Sequence, residues 1–445
     1  MKANSDSIIK ELDGNLCLRP VSPADGDAVA KFNAGVFTLP EEKHNPYIYA
    51  WTHDLATRPH PTLKPEDILI VESRDTGAIV SSMNLINQTW TFDGIPFGVG
   101  RPELVATAHD YRNRGLVREQ FAVVHEWSTE RGHLMQAITG IPWYYRIFGY
   151  EMAVNLEGGR SLPLTQVPKA KEGEEEHFML RPATQADLSF IQTTYEQGCR
   201  RYPLACQREE PLWVYEFSGK SEHNCSRSDM LILEDKDSRA VGFLLLQPDF
   251  HRDLPLTIRW FEIISGVSWV EVMPSVTQAL KSMAEDRIRQ KEDDPPRALR
   301  FELGEEHPSF SALHENHMLH RPYAWYIRIP DMPAFLTHVS PALDKRMAKS
   351  IAAGHTGELK ISFYRSGLRL VWNRGVLETV ESWKPTVEDG GNAQFPDKTF
   401  IQLLLGYRSL DELKHAFPDC SADAPAGGLL QALFPKQSSN ILPVS

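Results

Sequence analysis

The sequence is poor in cysteine. Five residues in 445 (Cys17, Cys199, Cys206, Cys225 and Cys420) form no C-x-x-C pair. An odd number without paired spacing excludes a disulfide framework and a cysteine-based zinc site, and reads as free thiols in a reducing cytoplasm. Also missing is any run near the ~18 apolar residues that span a bilayer. The amino-terminal MKANSDSIIKELDGN lacks the apolar core of a signal peptide. There is no basic surplus either: 47 Lys and Arg against 59 Asp and Glu give a net charge of −12. Proteins that bind nucleic-acid phosphates carry the opposite balance, whereas an acidic surface steers cationic partners inward.

What is present is globular: 42% hydrophobic, 24% charged and 10% aromatic residues, over a length that suits about three domains at roughly 150 residues each. An internal repeat supports that division. Leu18-Arg-Pro-Val-Ser-Pro-Ala-Asp25 returns 162 residues later as Leu180-Arg-Pro-Ala-Thr-Gln-Ala-Asp187, with five of eight positions identical. In each copy a short strand enters a turn, and Ser22 or Thr184 then caps a helix with Asp in its first turn. The charged stretch Lys169–His177 is the expected linker, and a second seam falls between Pro330 and Pro341. From about residue 357, alternating strands with short turns at Arg365–Gly367 and Asn373–Gly375 precede helices expected over Thr399–Leu405, Leu410–Phe417 and Gly428–Phe434.

The segment from Glu103 to Glu151 carries the chemistry. An apolar strand, Leu104-Val-Ala-Thr107, follows a hairpin expected to turn at Asp93-Gly94. Next comes the basic loop Tyr111-Arg-Asn-Arg-Gly-Leu-Val-Arg118, then a helix with Val117, Phe121, Val124 and Trp127 on one face, ending near Gly132. Strand, glycine-containing loop and helix start make an anion site, since unpaired backbone N–H groups and the helix dipole point at the ligand. Gly115 permits close backbone approach, and Arg112, Arg114 and Arg118 add positive charge. A short helix, Trp143–Phe148, is closed by Gly149-Tyr150.

This segment resembles the GNAT superfamily of acetyl-CoA-dependent N-acetyltransferases. Their loop pattern Q/R-x-x-G-x-G/A is matched by Arg112-Asn113-Arg114-Gly115-Leu116-Val117 up to the last position, where Val117 stands for a small residue. Their Tyr-x-x-x-Gly-Tyr/Phe motif is matched by Tyr145-Arg-Ile-Phe-Gly149-Tyr150. Over nearly its whole length the chain is similar to the Eis (enhanced intracellular survival) group. Segments Ala393–Pro396, Leu403–Leu410 and Leu433–Pro435 look like that group's last domain.

The resemblance implies an α/β (α+β) fold: an acetyl-CoA-binding, catalytic GNAT domain over residues 1–168, a degenerate second GNAT domain over 177–330, and a sterol-carrier-protein-like domain over 331–445. It implies acetyl transfer to an amine by direct attack in a ternary complex, without a metal and without an acyl-enzyme, and a homo-oligomer, trimer or hexamer. Backbone groups of Val105, Ala106 and Thr107 would hold the pantetheine, Tyr145 would be the general acid, and the carboxylate of Ser445 the general base. Ser445 departs from the aromatic end of that group, which leaves water, Glu41, Glu42 or Asp54 as the alternative base.

Loops at Glu41–Trp51 and Arg58–Pro65 are expected to line the acceptor cleft. The second domain, which has no R-x-x-G near Trp269–Gln278, is expected to hold no cofactor. His314, His317 and His320, three residues apart, are read as a polar helix face rather than a metal site. The expected acceptor is a cationic small-molecule or peptide amine, aminoglycoside-, polyamine- or lysine-like. A competing class is a carrier protein that holds an apolar ligand in the third domain.

Overall fold

A computed structural model describes residues 8–38, 44–168, 177–248, 255–290, 297–396 and 398–445. Glu41 and Glu42, and all of the expected linker except His177, lie outside them. The strands in chain order are β1 (Lys10–Leu12), β2 (Leu16–Pro20), β3 (Ile68–Ser73), β4 (Ile79–Phe92), β5 (Ile95–Thr107), β6 (Met135–Ile138), β7 (Glu151–Leu156), β8 (Gly159–Pro163), β9 (Phe178–Pro182), β10 (Leu204–Gln207), β11 (Asp229–Asp235), β12 (Ala240–Leu246), β13 (Leu256–Ile263), β14 (Ala298–Phe301), β15 (Met318–His320) and β16 (Tyr323–Arg328). A smaller set follows: β17 (Gly357–Ser362), β18 (Gly367–Asn373), β19 (Val376–Trp383), β20 (Ala393–Gln394) and β21 (Ser421–Ala422). The helices that matter for the site are α1 (Gly26–Val36), α2 (Pro46–Thr57), α3 (Leu116–Glu130) and α4 (Leu188–Cys199).

Among the described residues these strands make three mixed sheets, a mixed α/β architecture. The first runs β1-β2-β3-β4-β5-β6-β16-β7, with β10 paired to the far half of β4, and the second runs β15-β8-β14-β13-β12-β11-β9. Two strands are exchanged between these sheets. β16 inserts between β6 and β7 of the first, while β8 pairs with β14 and β15 in the second. The two sheets are therefore tied by chain crossings as well as by packing. The third sheet, β19-β18-β17-β20-β21, joins the first through one apolar cluster, in which Phe92 and Phe97 meet Phe335 edge-on at 6.0 and 5.3 Å.

The repeat appears as a duplicated clasp. Arg19 on β2 donates to both Asp25 oxygens at 2.8 and 2.9 Å, and its Nε reaches Glu72 on β3 at 2.8 Å. Arg181 on β9 makes the same pair of bonds to Asp187, at 2.8 and 2.9 Å, and reaches Glu234 on β11 at 2.7 Å. Such bidentate, charge-assisted bonds fix the angle at which each strand passes into its helix. The hairpin turn at Asp93-Gly94 forms with both residues at positive φ, 47° and 87°, the geometry of a two-residue hairpin turn.

Two expectations are corrected. The segment Glu41–Trp51 is not a loop throughout: from Pro46 it is helix α2, because Asn45 accepts from Tyr47 N and Ile48 N and Pro46 occupies the first turn. His314, His317 and His320 do not share a helix. They fall in a turn and on the edge strand β15, where His320 bonds Ser161 at 2.7 Å. Spacing by three matched a helix, but pairing with β8 won. No group of three metal-ligating side chains forms among the described residues, all five cysteines are free, and no described helix is long and apolar enough to cross a membrane.

Candidate active site

The site begins with a mismatch in the first sheet. On β4 and β5, Ser82 faces Ala106 but Asn84 faces Glu103, so β5 carries an extra residue there. Leu104 absorbs it with φ 51°, a bulge that bends the strand. On its other edge β5 pairs in parallel with β6 only at Val99–Met135 and Gly100–Gln136. Beyond Gly100 the two strands diverge, leaving a V-shaped opening flanked by the β5 backbone that includes Val105, Ala106 and Thr107. Ser81 Oγ anchors this stretch, lying 2.8 Å from Ala106 O, 2.9 Å from Thr107 Oγ1 and 2.7 Å from the buried Gln120 Oε1 of α3.

From the open end of the V the chain passes through Arg112, Asn113, Arg114 and Gly115, all exposed, into α3. Gly115 stands at the start of the helix with φ 78°, and a Cβ there would meet nothing within 4 Å. No side chain caps α3, so its first N–H groups face outward. Arg114 lies over the Tyr111 ring at 4.7 Å, and Arg118 is exposed one turn into the helix. Leu116 is buried, so what it can offer a ligand is its backbone, and Val117 is half-buried.

The inner face of α3 leads to Tyr145. It sits on a single 3-10 turn, Tyr144–Phe148, entered through Trp143 (φ 66°) and left through Gly149 (φ 92°). The rings of Phe121, Tyr144, Tyr150 and Tyr326 surround it at centroid distances of 6.0, 5.2, 6.4 and 5.5 Å. A Cβ on Gly140 (φ 136°) would lie 3.2 Å from the Tyr145 hydroxyl, so glycine is what lets the backbone pass the phenol so closely. That hydroxyl has no hydrogen-bond partner among the described residues. Burial, then the negative charge of Glu103, push its phenol well above the ordinary value, so it stays protonated throughout the physiological range.

Sequence reasoning missed what lies behind Tyr145. Glu103 forms an ion pair with Arg101, and the Arg101 Nη1 donates to Val444 O at 2.7 Å. Gln88 donates to the same carbonyl at 3.1 Å, and Arg208 holds Pro443 O. The tail therefore runs back between the first two sheets, and Ser445 is 9% exposed, with its Oγ receiving Lys220 Nζ at 3.3 Å. A cavity of about 460 Å³ opens beside it, lined by Trp51, Arg101, Thr139, Trp325 and Ser445 and, from the second sheet, by Arg259. Burial brings the Lys220 ammonium down to about 8, although the Glu216 carboxylate opposes the shift. Asp54 is otherwise engaged: it pairs with Arg58 at 2.9 Å and accepts from Ser221 N, Ser221 Oγ and Asn224 Nδ2 at 2.7–2.8 Å, joining α2 to the segment before β11.

These features coincide with the result of comparison. Residues 18–153 match the acetyltransferase (GNAT) domain family. No curated protein matches the chain. Among solved structures, a GCN5-related N-acetyltransferase from Kribbella flavida superposes with TM-score 0.61 at 16% identity, covering 99% of each chain. A GCN5-related N-acetyltransferase from Anabaena variabilis gives 0.61 at 14%, covering 96% of this chain and 98% of its own. Eis1 from Mycobacterium abscessus gives 0.59 at 12%, covering 97% and 99%. At these identities the likeness concerns the fold.

The second sheet has a similar divergence with a different outcome. β13 pairs with β14 in parallel only from Leu256 to Ile258. Beyond it Trp269 packs on Phe261 at 4.9 Å and His307 on Trp269 at 5.1 Å, while the His307 ring also hydrogen-bonds the Phe261 backbone. In place of an open strand edge, this V holds packed aromatic side chains.

Proposed function

We propose that the chain is an acetyl-CoA-dependent N-acetyltransferase that uses the opening between β5 and β6. The observation that carries this reading is the bulged, one-sided edge of β5 leading straight into an uncapped helix start with Gly115 in the left-handed region. The pyrophosphate would lie on the backbone of Arg112–Arg118, with Arg112, Arg114 and Arg118 screening its charge, and the pantetheine would extend along Val105, Ala106 and Thr107. Acetyl-CoA supplies an activated thioester, whose carbonyl carbon the neutral amine attacks directly. As the C–S bond breaks, the Tyr145 hydroxyl gives its proton to the departing sulfur. The proton lost by the amine goes to a base beside the opening: the carboxylate of Ser445 on the cavity wall in this reading, with Glu103, the ion-pair partner of the cavity-lining Arg101, as the alternative.

Three supports bear on the finer points. The duplicated Arg–Asp–Glu clasp favours tandem GNAT-like units, the aromatic filling of the second V favours one cofactor site, and the buried path of the tail favours a base delivered by it. Sterol-carrier likeness of the third unit and a homo-oligomeric state belong to the same proposal.

The experiment is to follow melting temperature and CoA release together. Acetyl-CoA at 100 times its Kd should stabilise the protein by about 2.7 kcal/mol, and an amine panel should release CoA. Gly115→Glu should remove both effects, because an acidic side chain in a strained left-handed position faces the pyrophosphate. Arg114→Ala should weaken binding more at low salt than at high salt. Stabilisation by acetyl-CoA with no CoA release on any amine would favour a binding protein instead. Extra residues appended after Ser445 should cut turnover with little change in acetyl-CoA affinity; full activity would leave Glu103 or water as the base.

A further inference from the structure

Among the described residues that line the cavity between the first two sheets, Arg259 is the one cation without a direct ion pair. Arg101 and Arg259 occupy equivalent places: each is the first residue on its strand past the last pair with the parallel neighbour, β6 for one and β14 for the other. Two residues further along, the first strand has Glu103, which pairs with Arg101. The second strand has Phe261 there, and Arg259 makes no ion pair among the described residues. Among the described residues its guanidinium hydrogen-bonds only the carbonyls of Ser226, Arg227 and Cys225, at 3.3–3.5 Å, and it opens onto the cavity.

The other cations around the cavity are neutralised by contact. Arg208 and Lys220 share Glu216, Arg300 meets Glu302 at 2.9 Å, and Arg101 has Glu103. Burial draws the Arg259 guanidinium below its ordinary value against the opposing charges of Glu302, Glu216 and Glu157, none of which reaches it in an ion pair among the described residues. Glu157, also on the wall, likewise makes no ion pair among the described residues. The cavity thus offers an unpaired anion and an unpaired cation, in a volume of about 460 Å³ that suits a small organic ligand.

We infer that Arg259 receives an acid group of the acceptor, so that the amine acetylated by this protein belongs to a molecule that also carries a carboxylate: an amino acid or a short peptide rather than a simple polyamine. This rests on the acetyl-transfer reading above. A guanidinium presents a planar fork that matches a carboxylate in two-point contact. An acceptor without the acid would leave that fork unpaired, and sites built around a buried polar group discriminate against such analogues.

The test uses amines that differ only by a carboxylate: lysine against cadaverine, and phenylalanine against phenethylamine. Binding is measured by calorimetry on the full chain, and turnover by CoA release. In the wild type the acid-bearing member of each pair should be preferred by about 10–100-fold, the size of a charge-assisted contact. Arg259→Gln should bring that ratio close to one, and Arg259→Lys should restore part of it. A wild-type ratio near one, a preference for the decarboxylated amines, or a ratio untouched by Arg259→Gln would overturn the assignment. So would failure of the acid-bearing members to bind.

The outcomes also separate the two readings. Acetylation of all four amines with a ratio near one would remove Arg259 and keep acetyl transfer. An Arg259-dependent preference in binding, with no CoA released on any amine, would keep Arg259 and remove acetyl transfer. Should Arg259→Gln fail to fold, the wild-type ratio and Arg259→Lys still decide.

Discussion

Replacing Tyr145 by Phe should lower kcat by about 10²–10⁴-fold, the usual worth of a positioned proton donor, while acetyl-CoA affinity stays within about twofold. The ring is held by four aromatic neighbours and the hydroxyl has no partner among the described residues, so the substitution removes chemistry and little packing. The pH profile discriminates further. Burial and Glu103 both favour the protonated phenol, so loss of its proton cannot produce a falling limb below the ordinary phenol value of about 10. The wild-type rate should therefore rise with pH as the acceptor amine becomes neutral and then level off. The Phe variant should show the same rise at a lower plateau. A wild-type falling limb between pH 7 and 9 that disappears in the variant would mean that Tyr145 titrates in that range, contrary to its burial. Wild-type turnover in the variant at all pH values would remove Tyr145 from the mechanism.

The parts of this site that were legible in the sequence are those whose determinants lie close together along the chain. The loop Arg112–Arg118, the apolar face of α3 and the turn at Asp93-Gly94 each depend on a handful of successive residues, and each forms where the pattern places it. The repeat was visible because Arg19 with Asp25, and Arg181 with Asp187, are six residues apart and close a local clasp. Their third members, Glu72 and Glu234, are 53 residues away and gave no signal.

Long-range pairing accounts for the rest. Nothing in Tyr323–Arg328 marks it as the strand that separates β6 from β7, because a buried strand reads the same in any sheet. In the sequence, Arg101 and Glu103 are simply two charged residues at alternate positions, with nothing beside them to mark a role. Their role depends on Val444, more than 340 residues later in the chain. The three histidines failed for the related reason that a period of three is weak evidence once a neighbouring strand, here β8, offers its backbone.

Arg101→Met should produce the largest combined loss of stability and activity, because one guanidinium serves three neighbours. It neutralises Glu103, holds Val444 O at 2.7 Å and lies over the Trp325 ring at 5.3 Å, and the residue is only 5% exposed. A methionine stem keeps much of the contact with Trp325. What it cannot do is compensate a nearly buried carboxylate, and breaking such a pair from one side costs about 3–5 kcal/mol. Denaturant unfolding should register that loss, and turnover should fall at least tenfold even under conditions where the variant is folded, since Glu103 and the tail both shift relative to Tyr145. Pairing the change with Glu103→Gln separates the causes, once Glu103→Gln alone has shown what turnover loses with that carboxylate itself. The double variant has no orphan charge, so most of the stability should return. If the tail's placement is what turnover needs, activity should stay low, because Val444 O still lacks its strongest donor and keeps only Gln88. If activity returns along with stability, Arg101 acts through Glu103's charge alone, and the path of the tail has no part in positioning the base.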